Sequence, residues 1–339
     1  MGNPAFGHSG EDAIANYFTK NEALLKPLFT DAQWADFIHF EGNANAIRTL
    51  TQHQTGKSEG GMKLTYTTLT SIAKYPCESI ATDKKQLHRK KFGFFQAEKE
   101  TFAAIAQGTG MIKSSSNPDI YLRHPFVWLV EAADDICYNV IDLEDSHRLG
   151  IIDTRTCTDV LLSLWNGLVP GRAPRNEEIL GTMADKNDKI AFLRAMVINA
   201  LITRSTALYQ EHFELIAEGK LTKPLLDIIG EETPVIDEIM AFSIANIYNH
   251  RAVVEIENAG YNVMYEMLSH LIPPVIQDKS IRTKSENKAL KLLPGQYIYD
   301  DKEPYYRVLG VLDYVSGMTD NYAADLYKKI KGIEIGMTI

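Results

Sequence analysis

The chain has 339 residues and a mass of 38.1 kDa, and 45% of its residues are hydrophobic while 23% are charged. A chain of this length and composition can bury a substantial core, which indicates a globular protein of one large domain or two lobes. The net charge of −9 and the sequence pI near 5.5 disfavour a general nucleic-acid coat, although a local basic patch remains compatible with a polyanionic ligand.

Signals for membranes and disulfides are missing from the sequence. No run approaches 18 uninterrupted apolar residues, and the start MGNPAFGHSGED has neither a basic nor an apolar leader region, so we expect a cytoplasmic protein without a membrane span. Cys77, Cys137 and Cys157 lie far apart without CxxC spacing. This spacing argues against a disulfide framework or a thiolate zinc site and predicts three core thiols.

Helical periodicity dominates the chain and predicts an all-α fold. The predicted helices are, in order, 10–28, 31–38, 44–54, 66–74, 97–107, 124–149, 154–167, 186–219, 234–270, 284–293 and 304–331. Alternating aromatics around an Asp-Asp-Lys turn predict at most one small β-hairpin, at 296–307. Since no change in composition divides the chain, we predict one large helical domain over 1–339, with a C-terminal helical portion from about residue 220.

The N-terminus carries the first candidate acid/base pair. His8 and Glu11 stand three residues apart where a helix is about to begin. A carboxylate one turn from a histidine can fix the imidazole tautomer and raise its proton affinity, which suits proton transfer. The alternative is an incidental histidine in a flexible terminal turn.

Several cationic side chains are candidate phosphate ligands. Arg48 ends FEGNANAIR at 40–48, Lys74 and Tyr75 end a helical stretch, and Arg123 precedes an acidic helix. Each has a structural alternative: a surface arginine after a helix cap, a lysine favoured by the helix dipole, and a helix start shaped by its proline.

The run KKQLHRKK at 84–91 is strongly basic. A run of this kind is usually a solvated turn. The alternative is a docking strip for a triphosphate or for single-stranded DNA.

An acidic stripe follows from the spacing of EAADDICYNVIDLED at 131–145. At 100° per residue, four polar side chains fall within an arc of about 80°: Asp134, Tyr138, Asp142 and Asp145. The apolar residues Leu129, Ala132, Ile136, Val140 and Leu143 cluster on the opposite face, as in a helix packed on a core. The stripe is either a solvated face or a pocket wall that offers a metal ligand, a ring with a hydroxyl and a second acceptor.

Five blocks of the sequence, taken together, resemble the dGTPase branch of the HD-domain deoxynucleoside triphosphate triphosphohydrolases. They are GNPAFGHSGE, FEGNANAIR, LTYTTLTSIAKYP, RHPFVWLVEAADDICYNVIDLED and DYVSGMTDNYA, and they extend from residue 2 to about residue 325. The resemblance implies an all-helical HD-type fold that assembles as a homo-oligomer. It also implies hydrolysis of dGTP or another dNTP to a deoxynucleoside and tripolyphosphate in one step, by attack of water on the α-phosphorus.

The resemblance also implies roles for individual residues. Asp134 matches the family's distant metal-binding aspartate, because Tyr138 and Asp142 follow it at the family's spacing of four and eight. Tyr138 would lie against the deoxyribose, where a 2′-hydroxyl would clash, and Asp142 would accept from the 3′-hydroxyl, so ribonucleotides should be poor substrates. His8 and Glu11 match the catalytic histidine and its partner carboxylate.

The triphosphate would be neutralised by Lys74 and Tyr75, with Arg48 or Arg123 as a further cation.

The metal site is where the sequence departs from the family pattern H-D-x-G-N-P-x-F-G-H. Met1 stands at the x, so the earlier His and the His-Asp pair that hold Mg²⁺ or Mn²⁺ in the family have no counterpart here. A catalytic metal needs further protein ligands besides Asp134. We therefore expect a fragment or a late start codon, and little or no activity from this polypeptide by itself.

Two other functions remain open. One is an HD-type phosphohydrolase acting on another nucleotide, such as a monophosphate or a guanosine polyphosphate. The other is a non-catalytic protein that binds nucleotides or single-stranded DNA, which the missing ligands and the run at 84–91 would suit.

Overall fold

The structure, a computed structural model, describes residues 2–52 and 61–334. Its α-helices are α1 (Gly7–Lys20), α2 (Glu22–Leu25), α3 (Asp31–Ile38), α4 (Gly42–Thr51), α5 (Tyr66–Ile72), α6 (Lys99–Thr109), α7 (Val127–Arg148), α8 (Thr154–Leu168), α9 (Ala173–Thr182), α10 (Lys186–Glu211), α11 (Phe213–Ala217), α12 (Leu225–Glu232), α13 (Val235–Ser243), α14 (Arg251–Ile276), α15 (Lys284–Leu290), α16 (Pro304–Ser316) and α17 (Asp320–Ile330). The strands β1 (Lys113–Ser116) and β2 (Asp119–Tyr121) pair antiparallel. The predicted all-α fold is confirmed.

The chain forms two compact units. The first unit comprises Met1–Arg123 and Glu255–Ile339, and the second comprises His124–Val254. No change in composition marks either boundary in the sequence. The prediction of one large domain over 1–339 stays a prediction.

The core of the first unit is rich in aromatic rings. Phe18 on α1 stacks on Phe37 of α3 with ring centroids 4.5 Å apart. The ring of Phe37 also contacts that of Tyr305 on α16, with centroids 5.3 Å apart. The fully buried carboxylate of Asp36 accepts hydrogen bonds from the Tyr305 hydroxyl at 2.5 Å and the Gln96 amide at 2.7 Å. Burial nevertheless raises the pKa of Asp36 to about 7. This core holds α1 and α3 in place.

In the second unit, the long helix α10 packs against α7, α8 and α12. By length and composition alone this helix could cross a membrane. Its buried residues Leu193, Val197 and Leu201 recur at helical spacing, however, as on a helix with one face in a core. Packing within the second unit therefore accounts for one face of the helix, and 28% of its most apolar 18-residue window is buried.

The prediction of a hairpin at 296–307 is wrong. That segment holds a 3₁₀ turn at Gly295–Tyr297 and the start of α16 at Pro304. Proline suits the first turn of a helix and has no N–H for strand pairing, so it favours the helix over the second strand. The observed strands β1 and β2 were not predicted, because KSSS at Lys113–Ser116 lacks the alternation of apolar residues that signals a strand.

Long predicted helices are divided in the structure. The segment 186–219 forms α10 and α11, and 304–331 forms α16 and α17, where the side chain of Thr319 caps the start of α17. The segment 44–54 is helical as α4 up to Thr51, and its last two residues lie outside the described part of the chain. Periodicity located these helices without locating the breaks.

Two of the three cysteines occupy the predicted environment. Cys77 and Cys157 are buried, and burial raises the pKa of their thiols to about 12 and about 11, so both stay protonated at neutral pH. The prediction is wrong for Cys137, which is exposed on α7.

A buried ion network centres on Arg48 of α4, which is only 5% exposed. Its Nε and Nη2 donate to the two carboxylate oxygens of Asp313 at 2.6 and 2.7 Å. Its Nη1 donates to Oε1 of Glu98 at 2.6 Å. One guanidinium therefore compensates two buried carboxylates that join α4 to α16 and to the start of α6.

Replacement of Arg48 by leucine should destabilise the protein strongly. The change leaves Glu98 and Asp313 buried without their cation, which costs about 3–5 kcal/mol of unfolding free energy. Urea unfolding measures this loss. Arg155→Leu is the matched control, because its side chain is 91% exposed and its pair with Asp159 contributes below about 1 kcal/mol. Equal losses for the two variants would contradict a structural role for Arg48.

Candidate functional site

The segment ahead of α1 is tied to the rest of the first unit. The backbone carbonyl of Gly2 accepts from Nδ2 of Asn45 at 2.7 Å, and the amide of Phe6 donates to Oδ1 of Asp320 at 2.9 Å. These contacts fix the start of α1. His8 therefore lies in the first turn of a helix whose preceding segment is hydrogen-bonded to the rest of the first unit.

Glu11 is buried on α1, with 7% exposure. Its Oε1 accepts a hydrogen bond from the backbone amide of Gly42 at 2.9 Å. A β-carbon on Gly42 would lie 2.6 Å from that oxygen and 2.3 Å from Oδ1 of Asn3. Glycine is therefore required at this position for the carboxylate to reach the backbone of α4.

A second buried carboxylate lies beside Glu11. Glu41 caps α4 by accepting from the Asn43 amide at 3.1 Å, and its Oε2 forms an ion pair with Nζ of Lys91. The same Nζ lies 3.8 Å from Oε2 of Glu11. Burial and the neighbouring Glu41 charge raise the pKa of Glu11 above its ordinary value. One ammonium is thus shared by two buried carboxylates.

These groups line a cavity of about 610 Å³. Its ionisable lining consists of the imidazoles His8 and His39, the carboxylates Glu11, Asp12 and Glu41, and the lysines Lys84, Lys90 and Lys91. The basic run at 84–91 therefore contributes three ammonium groups to the cavity. The arrangement places a candidate proton-transfer pair next to positive charge that suits an anionic ligand.

Three of the predicted phosphate ligands lie together in the first unit. Nε of the buried Arg123 donates to the carbonyl of Lys74 at 2.8 Å, and its guanidinium carbon lies 5.7 Å from the ring centre of Tyr75. Tyr75 is also near enough to Lys91 to act on the pKa of its ammonium. This cluster therefore lies next to the basic run.

Arg48 is placed elsewhere. It lines a different cavity of the first unit, about 650 Å³ in volume, together with Tyr66, Tyr299 and Lys302. Its nitrogens are engaged by Asp313 and Glu98 as described above. The structure thus separates Arg48 from the cavity of His8 and Glu11.

In the second unit, α7 has the predicted amphipathic form. The apolar residues Ala132, Ile136, Val140 and Leu143 are buried. On the polar stripe, Asp134 is exposed, Tyr138 is 46% exposed and Asp142 is half-buried. The stripe therefore points away from the apolar core that α7 helps to form.

Asp142 has a partner that sequence reasoning missed. The hydroxyl of Tyr248 donates to Oδ2 of Asp142 at 2.6 Å. Tyr248 ends a π-helical turn, Ile244–Tyr248, and such turns occur frequently at functional sites. Burial raises the pKa of Asp142, while this hydrogen bond lowers it. The run of consecutive polar residues from Tyr248 to Arg251, within the predicted helix 234–270, is the sequence signal that could have revealed it.

One acidic residue of α7 is buried and paired with two arginines. Glu144 is 5% exposed and accepts from Nη2 of Arg148 at 2.6 Å and from Nη1 of Arg194 on α10. Its charge therefore joins α7 to α10, and Glu144 lies outside the polar stripe that the sequence predicted.

The described residues do not supply a metal site by themselves. Among residues 2–52 and 61–334, no group of three or more His, Cys, Asp or Glu side chains is arranged to hold a metal ion. Catalytic metals take about three protein ligands. Asp134 would therefore be one ligand of a set that these residues do not complete.

Comparison with known proteins identifies close relatives. A sequence model of the phosphohydrolase-associated domain matches residues 231–329. Proteins named deoxyguanosinetriphosphate triphosphohydrolase-like protein are similar over nearly the whole chain. The one from Synechocystis sp. is 34% identical over 99% of this chain and 75% of its own length. Those from Pseudomonas aeruginosa and Listeria monocytogenes are 32% and 30% identical, each over 98% of this chain, and over 74% and 75% of their own lengths.

Replacement of Tyr248 by phenylalanine should raise the pKa of Asp142, because the hydroxyl that favours the ionised carboxylate is lost. Loss of this hydrogen bond should also cost about 0.5–1.5 kcal/mol of unfolding free energy. Carboxyl ¹³C NMR titration and urea unfolding measure the two effects.

Tyr209→Phe serves as the control in the same unit, because the Tyr209 hydroxyl is buried with no hydrogen-bond partner among the described residues. It should leave the Asp142 titration unchanged. An Asp142 midpoint that is the same in Tyr248→Phe and in the parent would show that the contact has no influence on the carboxylate.

Proposed function

The chain belongs to the family of deoxyguanosinetriphosphate triphosphohydrolase-like proteins, and from this we propose that its site hydrolyses dGTP or another dNTP to a deoxynucleoside and tripolyphosphate. The observation that carries the proposal is the cavity in which His8 and the buried Glu11 stand beside three lysines. The acid/base pair suits proton transfer to the departing 5′-oxygen, and the lysines, which stand among the carboxylates of Glu11, Asp12 and Glu41, offer ammonium groups to a triphosphate.

The reaction breaks one bond and forms one. Water adds to the α-phosphorus, the bond from that phosphorus to the 5′-oxygen breaks, and the 5′-oxygen takes up a proton as the deoxynucleoside leaves. His8 either holds the attacking water or gives the proton to the departing oxygen. Glu11 acts as its partner carboxylate, and the bond from Gly42 keeps it oriented.

Positive charge in the first unit neutralises the triphosphate. Lys84, Lys90 and Lys91 line the cavity of His8 and Glu11, and the group formed by Lys74 and Tyr75 lies nearby with Arg123. Fixed cations offset the negative charge of the triphosphate and stabilise the phosphoryl oxygens around the α-phosphorus while water attacks it and the 5′-oxygen departs. This placement of the basic run favours a small polyanion inside a cavity over single-stranded DNA along a surface.

For α7, which belongs to the second unit, the match to the family's spacing supports a role in recognising the sugar. Tyr138 packs against the deoxyribose, and Asp142 accepts from the 3′-hydroxyl. Tyr248 occupies Oδ2 of Asp142, so the other carboxylate oxygen is the one that receives the sugar. Ribonucleotides are excluded by the ring of Tyr138.

The described residues do not form a complete ligand set for the divalent metal of the family. We therefore assign no step of the reaction to it, and we place Asp134 as one ligand only. The expected consequence is low turnover from the 339-residue polypeptide alone. We also propose that the enzyme is cytoplasmic and assembles as a homo-oligomer.

Product analysis with dGTP and Mn²⁺ tests this proposal. The 339-residue chain should form little tripolyphosphate. The same chain preceded by a segment carrying the family's His and His-Asp ligands should form tripolyphosphate and deoxyguanosine, and should use GTP poorly. Glu11→Gln in the extended chain should lower the rate about 10²–10⁴-fold, because the partner carboxylate of the acid/base pair is lost.

Other outcomes point to the other functions. Orthophosphate or pyrophosphate as the product would indicate a different phosphohydrolase. Salt-dependent binding of single-stranded DNA by the extended chain, with Mn²⁺ bound and no hydrolysis, would indicate a non-catalytic binding protein. Either result would overturn the proposed reaction.

A further inference from the structure

Lys91 is held at the wall of the His8 cavity by a carboxylate that no proposed step uses. Its Nζ is paired with Oε2 of Glu41 and stands 3.8 Å from Oε2 of Glu11. The side chains of both glutamates are almost fully buried, with 4% and 9% exposure, whereas that of Lys91 is 40% exposed. The partly exposed lysine thus joins two carboxylates whose side chains are almost fully buried.

We propose that Glu41 is a positioning residue that, by holding the ammonium of Lys91 beside Glu11, sets the charge surrounding Glu11 when it works with His8. The part played by His8 rests on the proposed function. Without Glu41, the ammonium of Lys91 would be free to move from 3.8 Å into closer contact with Glu11. The negative charge that Glu11 presents to His8 would then be more fully compensated by Lys91.

The charges around Glu11 come from three segments. They are His8 and Asp12 on α1, His39 and Glu41 ahead of α4, and Lys84, Lys90 and Lys91 from the basic run. Burial and Glu41 raise the pKa of Glu11, whereas Lys91, His8 and the Gly42 amide lower it. For Lys91, burial lowers the pKa, but the two carboxylates more than offset it. Glu41 and Lys91 therefore act on Glu11 in opposite directions.

The first unit contains a matched ion pair that serves as a control. Oε1 of Glu78 accepts from Nζ of Lys99 at 2.7 Å, and their side chains are 2% and 37% exposed, close to the values for Glu41 and Lys91. Glu78 also binds the Asp119 amide at 2.6 Å, so its role is in packing. Neither Glu78 nor Lys99 lines the cavity of His8.

Carboxyl ¹³C NMR titration of the 339-residue chain with labelled glutamate tests the inference, with the Glu11 signal identified through Glu11→Gln. Glu41→Gln should lower the midpoint of Glu11 by about one pH unit, because a neighbouring negative charge is removed and Lys91 moves closer. Lys91→Met should raise it by a similar amount. Glu78→Gln should leave it unchanged, although it also removes a buried ion pair.

An unchanged Glu11 midpoint in Glu41→Gln, or the same shift in Glu78→Gln, would overturn the inference. If Glu41→Gln does not fold, Lys91→Met alone decides, because a midpoint that fails to rise contradicts the shared ammonium. None of these measurements needs turnover. A failure of the inference is therefore distinguishable from a failure of the proposed reaction, which only product analysis reveals.

Discussion

The hydrogen bond from the Gly42 amide to the Glu11 carboxylate joins the first residue of α4 to α1, and the geometry of the candidate catalytic cavity depends on it. It requires a buried carboxylate on one helix and a residue without a β-carbon on the other. Because Glu11 is fixed in this way, its second oxygen is directed toward Lys91. This hydrogen bond therefore sets which oxygen of Glu11 faces the ammonium of Lys91 in the cavity that His8 also lines.

Buried charge in the first unit falls into two kinds. The carboxylates of Glu98 and Asp313 are compensated by Arg48, and Glu78 is compensated by Lys99, as expected where ionised groups serve packing. Glu11 also shares a cation, the partly exposed Lys91, but unlike these carboxylates it lines a cavity together with His8. A carboxyl group with a raised pKa beside an imidazole in a cavity is a candidate for a functional site.

Sequence reasoning reached some parts of this arrangement and missed others for physical reasons. Helical periodicity predicted the fold, and the spacing of His8 and Glu11 within one turn suggested an acid/base pair, which stays a prediction. The basic run at 84–91 was noted, but the pairing of its Lys91 with Glu41 was missed, as was Tyr248, since these contacts arise only through tertiary folding, which no local pattern encodes. The hairpin predicted at 296–307 failed because alternating aromatics also suit a turn that leads into a helix.

Hydrolysis of dGTP in water enriched in ¹⁸O, by the chain with a complete set of metal ligands, tests the proposed reaction most directly. Attack on the α-phosphorus predicts that mass spectrometry finds ¹⁸O in the tripolyphosphate and none in the deoxyguanosine. Label in the deoxyguanosine would mean that the carbon–oxygen bond breaks, and labelled orthophosphate would mean attack at the γ-phosphorus. Either result would contradict a reaction at the α-phosphorus beside His8 and Glu11.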